Sequence, residues 1–157
     1  MSEFTHLNDG FPSMVDVGAK PTTQRTAVAR GRITLPEAVT SRWHQEEIHV
    51  AKGPVFQTAI LAGTMAAKKT SDLIPLCHPL ALHRINISIT LEEGDAVVEA
   101  TVGCNGKTGV EMEALTAVSV ALLTIYDMCK AFTHDMRIFD IELLQKEGGK
   151  SDYNAHG

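Results

Sequence analysis

The sequence predicts an α+β domain, an antiparallel sheet with helices packed on one of its faces. Three observations point there. Residues 84–104 alternate apolar and polar side chains on either side of "EEGD", as the two strands of a hairpin do. Two longer segments, 54–69 and 108–132, are apolar enough and long enough to be core helices. Extended runs stand before the first of these helices and after the second. The order is therefore strand, helices, strand, strand, helix, strand, which is the split βαβ pattern of a ferredoxin-like fold.

Each element has its own signature. After Pro12, "MVDVGAK" and "RTAVARGRITL" read as extended; in the second, Ala27, Ala29, Gly31 and Ile33 alternate with Val28, Arg30 and Arg32. Thr34 and Glu37 stand at capping-box spacing, so a helix start is expected at "TLPEAV", with a loop through "HQEEIHVAKG" after it. Pro54 suits the first turn of a helix through "PVFQTAILAGTMAAKK", where Phe56, Ala59, Ile60, Gly63 and Ala67 recur at helical spacing. Lys68 and Lys69 close it, positive charge meeting the negative end of the helix dipole. Pro75 and Pro79 rule out helix across "DLIPLCHPL", which reads as an ordered loop.

Ile85, Ile87, Ile89 and Leu91 share one face of the first hairpin strand. Thr108 and Glu111 repeat the capping-box spacing ahead of the long helix, and "MRIFDIELL" supplies a last strand with Phe139, Ile141 and Leu143 on one side. Residues 14–147 are expected to form a single domain, flanked by a flexible N-terminal segment, 1–13, and a flexible tail, 148–157.

Composition narrows the function classes. The 157 residues are 44% hydrophobic and 21% charged, ordinary for a globular chain with a real core. A formal net charge of -5 provides no general attraction to nucleic acid or to an anionic membrane, so any anion site must be a local cluster of bases. Cys77, Cys104 and Cys129 are odd in number and lack CxxC spacing, which fits free thiols in a reducing cytoplasm; Cys104 and Cys129 read as small buried hydrophobes. The N-terminus carries acids where a signal peptide needs bases. The longest apolar run, 114–126, is shorter than the ~20 residues that span a bilayer, so no membrane partner is expected.

The chemistry-bearing residues gather in a few places. Asp127 and Lys130 are three apart on the long helix and can pair. Glu113, unlike Glu111, has no capping role to explain it. The fourteen residues from Glu113 to Asp127 extend about 21 Å at ~1.5 Å per residue, too far for one small reacting centre to touch both. If both ends are catalytic, each site combines two subunits and the enzyme is an obligate oligomer.

"GCNGKTG" lacks the first glycine of a phosphate loop, since Thr101 stands there, and it reads as a turn into the helix; Lys107 within it is a weak anion candidate. Cys77 and His78 are adjacent and so point apart in an extended segment, which leaves His78 as a general acid or phosphate donor rather than a base for Cys77. His78, His83 and Cys77 do not make a zinc site, for want of a fourth ligand and a familiar spacing. Lys52 precedes a helix start, where amide N–H groups already favour an anion.

Taken together, "AAKKTSDLIPLCHPL", "GKTGVEMEALTAVSVALLTIYDMCKA", the terminal "GGKS" and "MVDV" near the start closely resemble the MoaC family of molybdenum cofactor biosynthesis. The similarity runs from Met14 to Ser151. The resemblance implies a ferredoxin-like subunit in a homo-hexamer, a trimer of dimers with active sites at the interfaces. It also implies a lyase activity, conversion of 3',8-cyclo-7,8-dihydro-GTP to cyclic pyranopterin monophosphate with release of pyrophosphate. By motif, Lys52, Asp127 and Lys130 would be catalytic, and Arg25, Lys68, Cys77, His78, Glu111, Met112, Glu113 and Lys150 would contact substrate. No resident cofactor or metal is implied; Mg²⁺, where it takes part, comes bound to the triphosphate. After "GGKS" this chain has Asp152 where the family more often has glycine.

Two rivals from other classes make different demands. A nucleotide-sensing module would need the phosphate-facing bases but not the Asp127 and Lys130 pair. An RNA-binding ferredoxin-like domain would need stacking aromatics on its hairpin strands, which "RINISITL" lacks.

Overall fold

The computed structural model describes Leu7, Asn8 and residues 10–157. Residues 1–6 and 9, most of the predicted flexible segment 1–13, lie outside the described residues. In chain order the elements are β1 (Leu7–Asn8), β2 (Phe11–Pro12), β3 (Thr23–Thr34), α1 (Glu37–Thr40), β4 (Trp43–His44), β5 (Glu47–Val50) and β6 (Gly53–Pro54). There follow α2 (Val55–Lys68), α3 (Thr70–Leu73), β7 (Leu82–Glu92), β8 (Asp95–Gly106), α4 (Glu111–Cys129), β9 (Ile138–Glu147) and β10 (Tyr153–Asn154).

The main sheet is antiparallel in the order β10-β9-β3-β8-β7. Without the short β10 this sets the fourth, first, third and second strands of the split βαβ unit side by side, and α2 and α4 cover one face. The fold is the α+β, ferredoxin-like arrangement that the element order predicts. The hairpin β7–β8 turns at Glu93 (φ 50°) and Gly94 (φ 86°), two left-handed residues in succession, the turn whose twist suits two antiparallel strands.

Small side chains let the helices sit close to the sheet. Ala27, Ala29, Ala96 and Ala100 from the central strands are fully buried beneath Ala114, Ala117, Val118, Ala121 and Leu122 of α4. Gly63 of α2 lies against Ala117 and Ala121 of α4, so the two helices cross at close range. α4 has 19 residues and is apolar enough to cross a membrane by length and composition, longer than the apolar run read from the sequence. It is nonetheless the core helix, with Ala117, Leu122 and Ile125 buried between α2 and the sheet.

Four local expectations are corrected. Neither predicted capping box forms: Pro36 and Val110 occupy the N-cap positions without side-chain caps. Thr34 instead accepts the N–H of Arg137 (2.8 Å), and the Glu111 carboxylate pairs with Lys146 (3.2 Å). "MVDVGAK" is irregular rather than extended. The loop expected through "HQEEIHVAKG" contains the small sheet β4-β5-β6, whose first turn uses Gln45 (φ 50°) and Glu46 (φ 62°). In β9 a bulge at Asp140 (φ 54°) sets two residues opposite Gly31, so Phe139 pairs with Arg32 on the open face while Ile138 joins Leu143 against the core.

Candidate active site

The hairpin β5–β6 ends in the two-residue turn Ala51–Lys52, because Val50 pairs with Gly53. From that turn the Lys52 amine donates to the main-chain carbonyl of Asp127 (3.0 Å) and to its carboxylate (3.2 Å). Lys130, just past the C-terminus of α4, reaches the other oxygen of the same carboxylate at 3.0 Å. The predicted catalytic residues Lys52, Asp127 and Lys130 thus converge at one end of α4, and the cluster is open to solvent. Hydrogen bonds from Lys130 first and Lys52 second hold the Asp127 carboxyl below the usual aspartate range.

At the other end of α4 lie two adjoining cavities of 540 Å³ and 430 Å³. They share Lys20, Thr108, Gly109, Glu111 and Lys150, so they form one continuous cleft. The larger is lined by Cys77, His78, Met112 and Glu113, the smaller by Arg25, Lys146 and Glu147. Of the predicted substrate contacts, Arg25, Cys77, His78, Glu111, Met112, Glu113 and Lys150 all line this cleft. Lys68, in the last turn of α2, is exposed and lines neither cavity.

The walls have defined roles. His78 donates from Nε2 to the carbonyl of Val15 (2.6 Å); a carbonyl only accepts, so Nε2 carries the proton of this bond and Nδ1 is the ring nitrogen it does not use. That bond also pins the irregular segment 14–19. The adjacent Cys77 lines the same cavity, contrary to the expectation for an extended segment, because a turn precedes it in place of a strand. Burial, then Glu113 and Glu111, push the Cys77 thiol up, so it is a poor nucleophile.

Glu113 is 4% exposed. Burial pushes its carboxyl above the ordinary range, a backbone hydrogen bond within its own residue opposes this, and Glu111 adds to the rise. The arginine side chain of the cleft, Arg25, donates to the carbonyl of Gly106 (3.3 Å). Lys150 is carried by the loop after β9, where Thr23 donates to the Gly148 carbonyl (2.7 Å) and Asp152 accepts the Gly148 N–H (3.2 Å). β10 then pairs back onto Gln145 and Lys146.

Sequence reasoning missed Lys20 and Lys146. Lys20 stands three residues after "MVDV", but nothing local shows that it faces the cleft. Lys107, a weak anion candidate, is engaged with the carbonyl of Gly18 (3.0 Å). Cys104 and Cys129 are buried as expected, the Cys129 thiol pushed up to about 11 by burial. Among the described residues, no group of three or more His, Cys, Asp or Glu side chains could hold a metal ion.

The cleft therefore offers Lys20, Arg25, Lys146, Lys150 and His78 for an anion beside the carboxylates of Glu111, Glu113 and Glu147, while the Lys–Asp–Lys cluster sits at the far end of the same helix. A family model described as "MoaC family" matches residues 14–149. The chain is 53% identical over 156 residues to the cyclic pyranopterin monophosphate synthase of Heliobacterium modesticaldum, covering 98% of this chain and 97% of that one. It is 50% identical over 157 residues to the protein of the same name from Parvibaculum lavamentivorans, with 98% and 97% covered. To molybdenum cofactor biosynthesis protein 1 of Drosophila melanogaster it is 50% identical over 155 residues, 97% of this chain but only 27% of that longer protein. The chain belongs to the MoaC family.

Proposed function

We propose that the protein is a cyclic pyranopterin monophosphate synthase, a lyase that converts 3',8-cyclo-7,8-dihydro-GTP to cyclic pyranopterin monophosphate and pyrophosphate. The observation that carries this reading is the pairing, on one helix, of a cation-lined cleft with a carboxylate held between two amines. In the cleft, Arg25, His78 and Lys150, joined by Lys20 and Lys146, face the triphosphate and stabilise the charge that grows on the departing pyrophosphate. Mg²⁺, where present, arrives on that triphosphate as part of the substrate. Glu113 and Glu111 accept the amino and ring N–H groups of the guanine-derived edge, and Met112 packs beside them.

Lys52 and Lys130 exchange protons with the ring system as it is rebuilt, and Asp127 orients both amines. Cys77 contributes wall rather than chemistry. Lys68 contacts substrate only in an assembled site, since it lies at the cleft end of α2 but outside the cleft of one subunit.

The two groups of residues stand at opposite ends of a helix of 19 residues, about 28 Å at ~1.5 Å per residue. A complete site then takes the cleft of one subunit and the Lys–Asp–Lys cluster of another, in a homo-hexamer built as a trimer of dimers. Residues 14–147 act as one catalytic domain, and the free thiols Cys77, Cys104 and Cys129 suit a reducing cytoplasm.

The test is incubation of the purified protein with enzymatically prepared 3',8-cyclo-7,8-dihydro-GTP, following pyrophosphate and product mass together, with Lys130→Ala as control. Product from the wild type and none from the variant is the expected result. Bound but unchanged substrate in both would overturn the reading in favour of a nucleotide-sensing module. Mixing Lys130→Ala with Glu113→Ala under subunit exchange restores activity if sites are shared between subunits, and restores none if each subunit is self-sufficient.

A further inference from the structure

Glu47 is the first residue of β5 and is 6% exposed, yet it lies in neither the cleft nor the Lys–Asp–Lys cluster. Both oxygens of its carboxylate are engaged with backbone donors. Oε1 accepts the N–H groups of Ile48 (2.7 Å) and Phe56 (2.8 Å), and Oε2 accepts that of Gln57 (2.9 Å). Phe56 and Gln57 are the second and third residues of α2, whose N-cap, Pro54, has no side-chain hydrogen bond to give. The cap that α2 lacks locally is supplied from across the hairpin.

The segment closed by these bonds, from Glu47 to Phe56, contains Lys52 at its tip. Gly53 follows in a left-handed conformation (φ 121°) and leads straight into the helix. The β5 leg of the hairpin is therefore tied to the first turn of α2 by this carboxylate, and the β6 leg runs into the same turn through the chain. The position from which the Lys52 amine meets Asp127 depends on where that turn sits.

We propose that Glu47 is a positioning residue for Lys52, setting the register of the β5–β6 hairpin on α2 so that the amine reaches the carbonyl and carboxylate of Asp127. This rests on the reading of Lys52 as a catalytic group. The role needs a carboxylate: all three partners are donors, and an amide in its place would turn an NH₂ toward an N–H.

Four proteins test it: wild type, Glu47→Gln, Lys52→Ala and the double variant, each assayed by steady-state turnover of 3',8-cyclo-7,8-dihydro-GTP, with thermal melting as a check on folding. Lys52→Ala is expected to lose about 10²-fold or more in kcat. Glu47→Gln is expected to lose about tenfold or more in kcat with KM within about twofold, and to cause no further loss in the Lys52→Ala background. A Glu47→Gln protein with the kcat of the wild type, or one that loses the same factor with and without Lys52, overturns the proposal and leaves Glu47 a helix cap alone. Wild-type turnover by Lys52→Ala overturns it by a different route, through the catalytic reading itself. Should Glu47→Gln not fold, Glu47→Asp, which keeps the charge one methylene shorter, is read by the same comparison.

Discussion

The Lys52 amine donates to two atoms of Asp127, its main-chain oxygen at 3.0 Å and its carboxylate at 3.2 Å, so a turn before α2 is fastened to the last turn of α4. With Lys130 at 3.0 Å on the second carboxylate oxygen, one aspartate sets the separation of two amines. Asp127→Asn keeps the shape and removes the charge. It should lower kcat about 10²-fold or more while leaving KM for the triphosphate nearly unchanged, because the cations proposed to face the phosphates are at the other end of the helix. Steady-state kinetics on the two parameters separately check this.

The same carboxyl yields a prediction about pH. Its folded-state pKa lies below the ordinary 3.8, so the unfolded chain takes up the proton first as pH falls. The stabilising pair is fully present above about pH 4 and is lost only as pH drops through the folded value. A carboxyl carbon NMR titration should show Asp127 still ionised at pH 4, and a midpoint at or above the ordinary aspartate value would contradict the geometry.

Glu113 behaves in the opposite sense. Burial raises its pKa above 4.5, so the unfolded chain releases its proton first as pH rises. Stability is fully present below about pH 4.5 and falls as pH climbs toward the folded value, beyond which the whole cost is felt. Glu113→Gln should therefore raise the melting temperature at pH 7, with the gain vanishing near pH 4. On the proposed role of Glu113 it should also flatten the dependence of KM on pH, since the wild-type carboxyl accepts substrate N–H groups on both oxygens only once ionised.

Much of the framework was legible because its signals are local. Ile85, Ile87, Ile89 and Leu91 alternate within one strand, and the turn at Glu93 and Gly94 sits where "EEGD" says it should. The β4–β5 turn uses Gln45 and Glu46, which carry none of the glycine or asparagine signal usual for left-handed turns, and so has no local signature. Thr34 and Thr108 have capping-box spacing, but spacing says nothing of competing partners. Arg137, about a hundred residues away, donates to Thr34, and Lys146 takes Glu111 from its cap. The site divides the same way. Asp127 and Lys130 are neighbours by helical geometry, whereas Lys52 joins them across 75 residues and Lys20 enters the cleft from a segment without periodicity, so neither contact has a local pattern.

Gly63 tests the close crossing of α2 and α4. A Cβ there would stand 2.8 Å from the carbonyl oxygen of Ala117 and 2.8 Å from Ile87 Cδ1, both held in the core. Gly63→Ala should cost roughly 1–3 kcal/mol by overpacking, even though alanine has the better helix propensity. Urea unfolding measures the loss. A stabilised variant would mean that the helices are farther apart than described.

Gly148 decides whether the tail matters to the cleft. Its φ of 91° is left-handed, its carbonyl accepts from Thr23, and a Cβ would overlap the main-chain oxygen of Gln24 on β3. Gly148→Ala must therefore move the loop that carries Lys150 off β3, while Glu113 and the Lys–Asp–Lys cluster keep their own supports. If Lys150 makes a charge-assisted contact with the triphosphate, losing it should raise KM about tenfold or more, in line with roughly 1.5–3 kcal/mol for such a bond, with kcat little changed. Lys150→Ala should then match it, and adding Gly148→Ala to Lys150→Ala should raise KM no further. Equal KM values for Gly148→Ala and the wild type would instead assign the ordered tail a purely structural role, with phosphate binding left to Lys20, Arg25, Lys146 and His78.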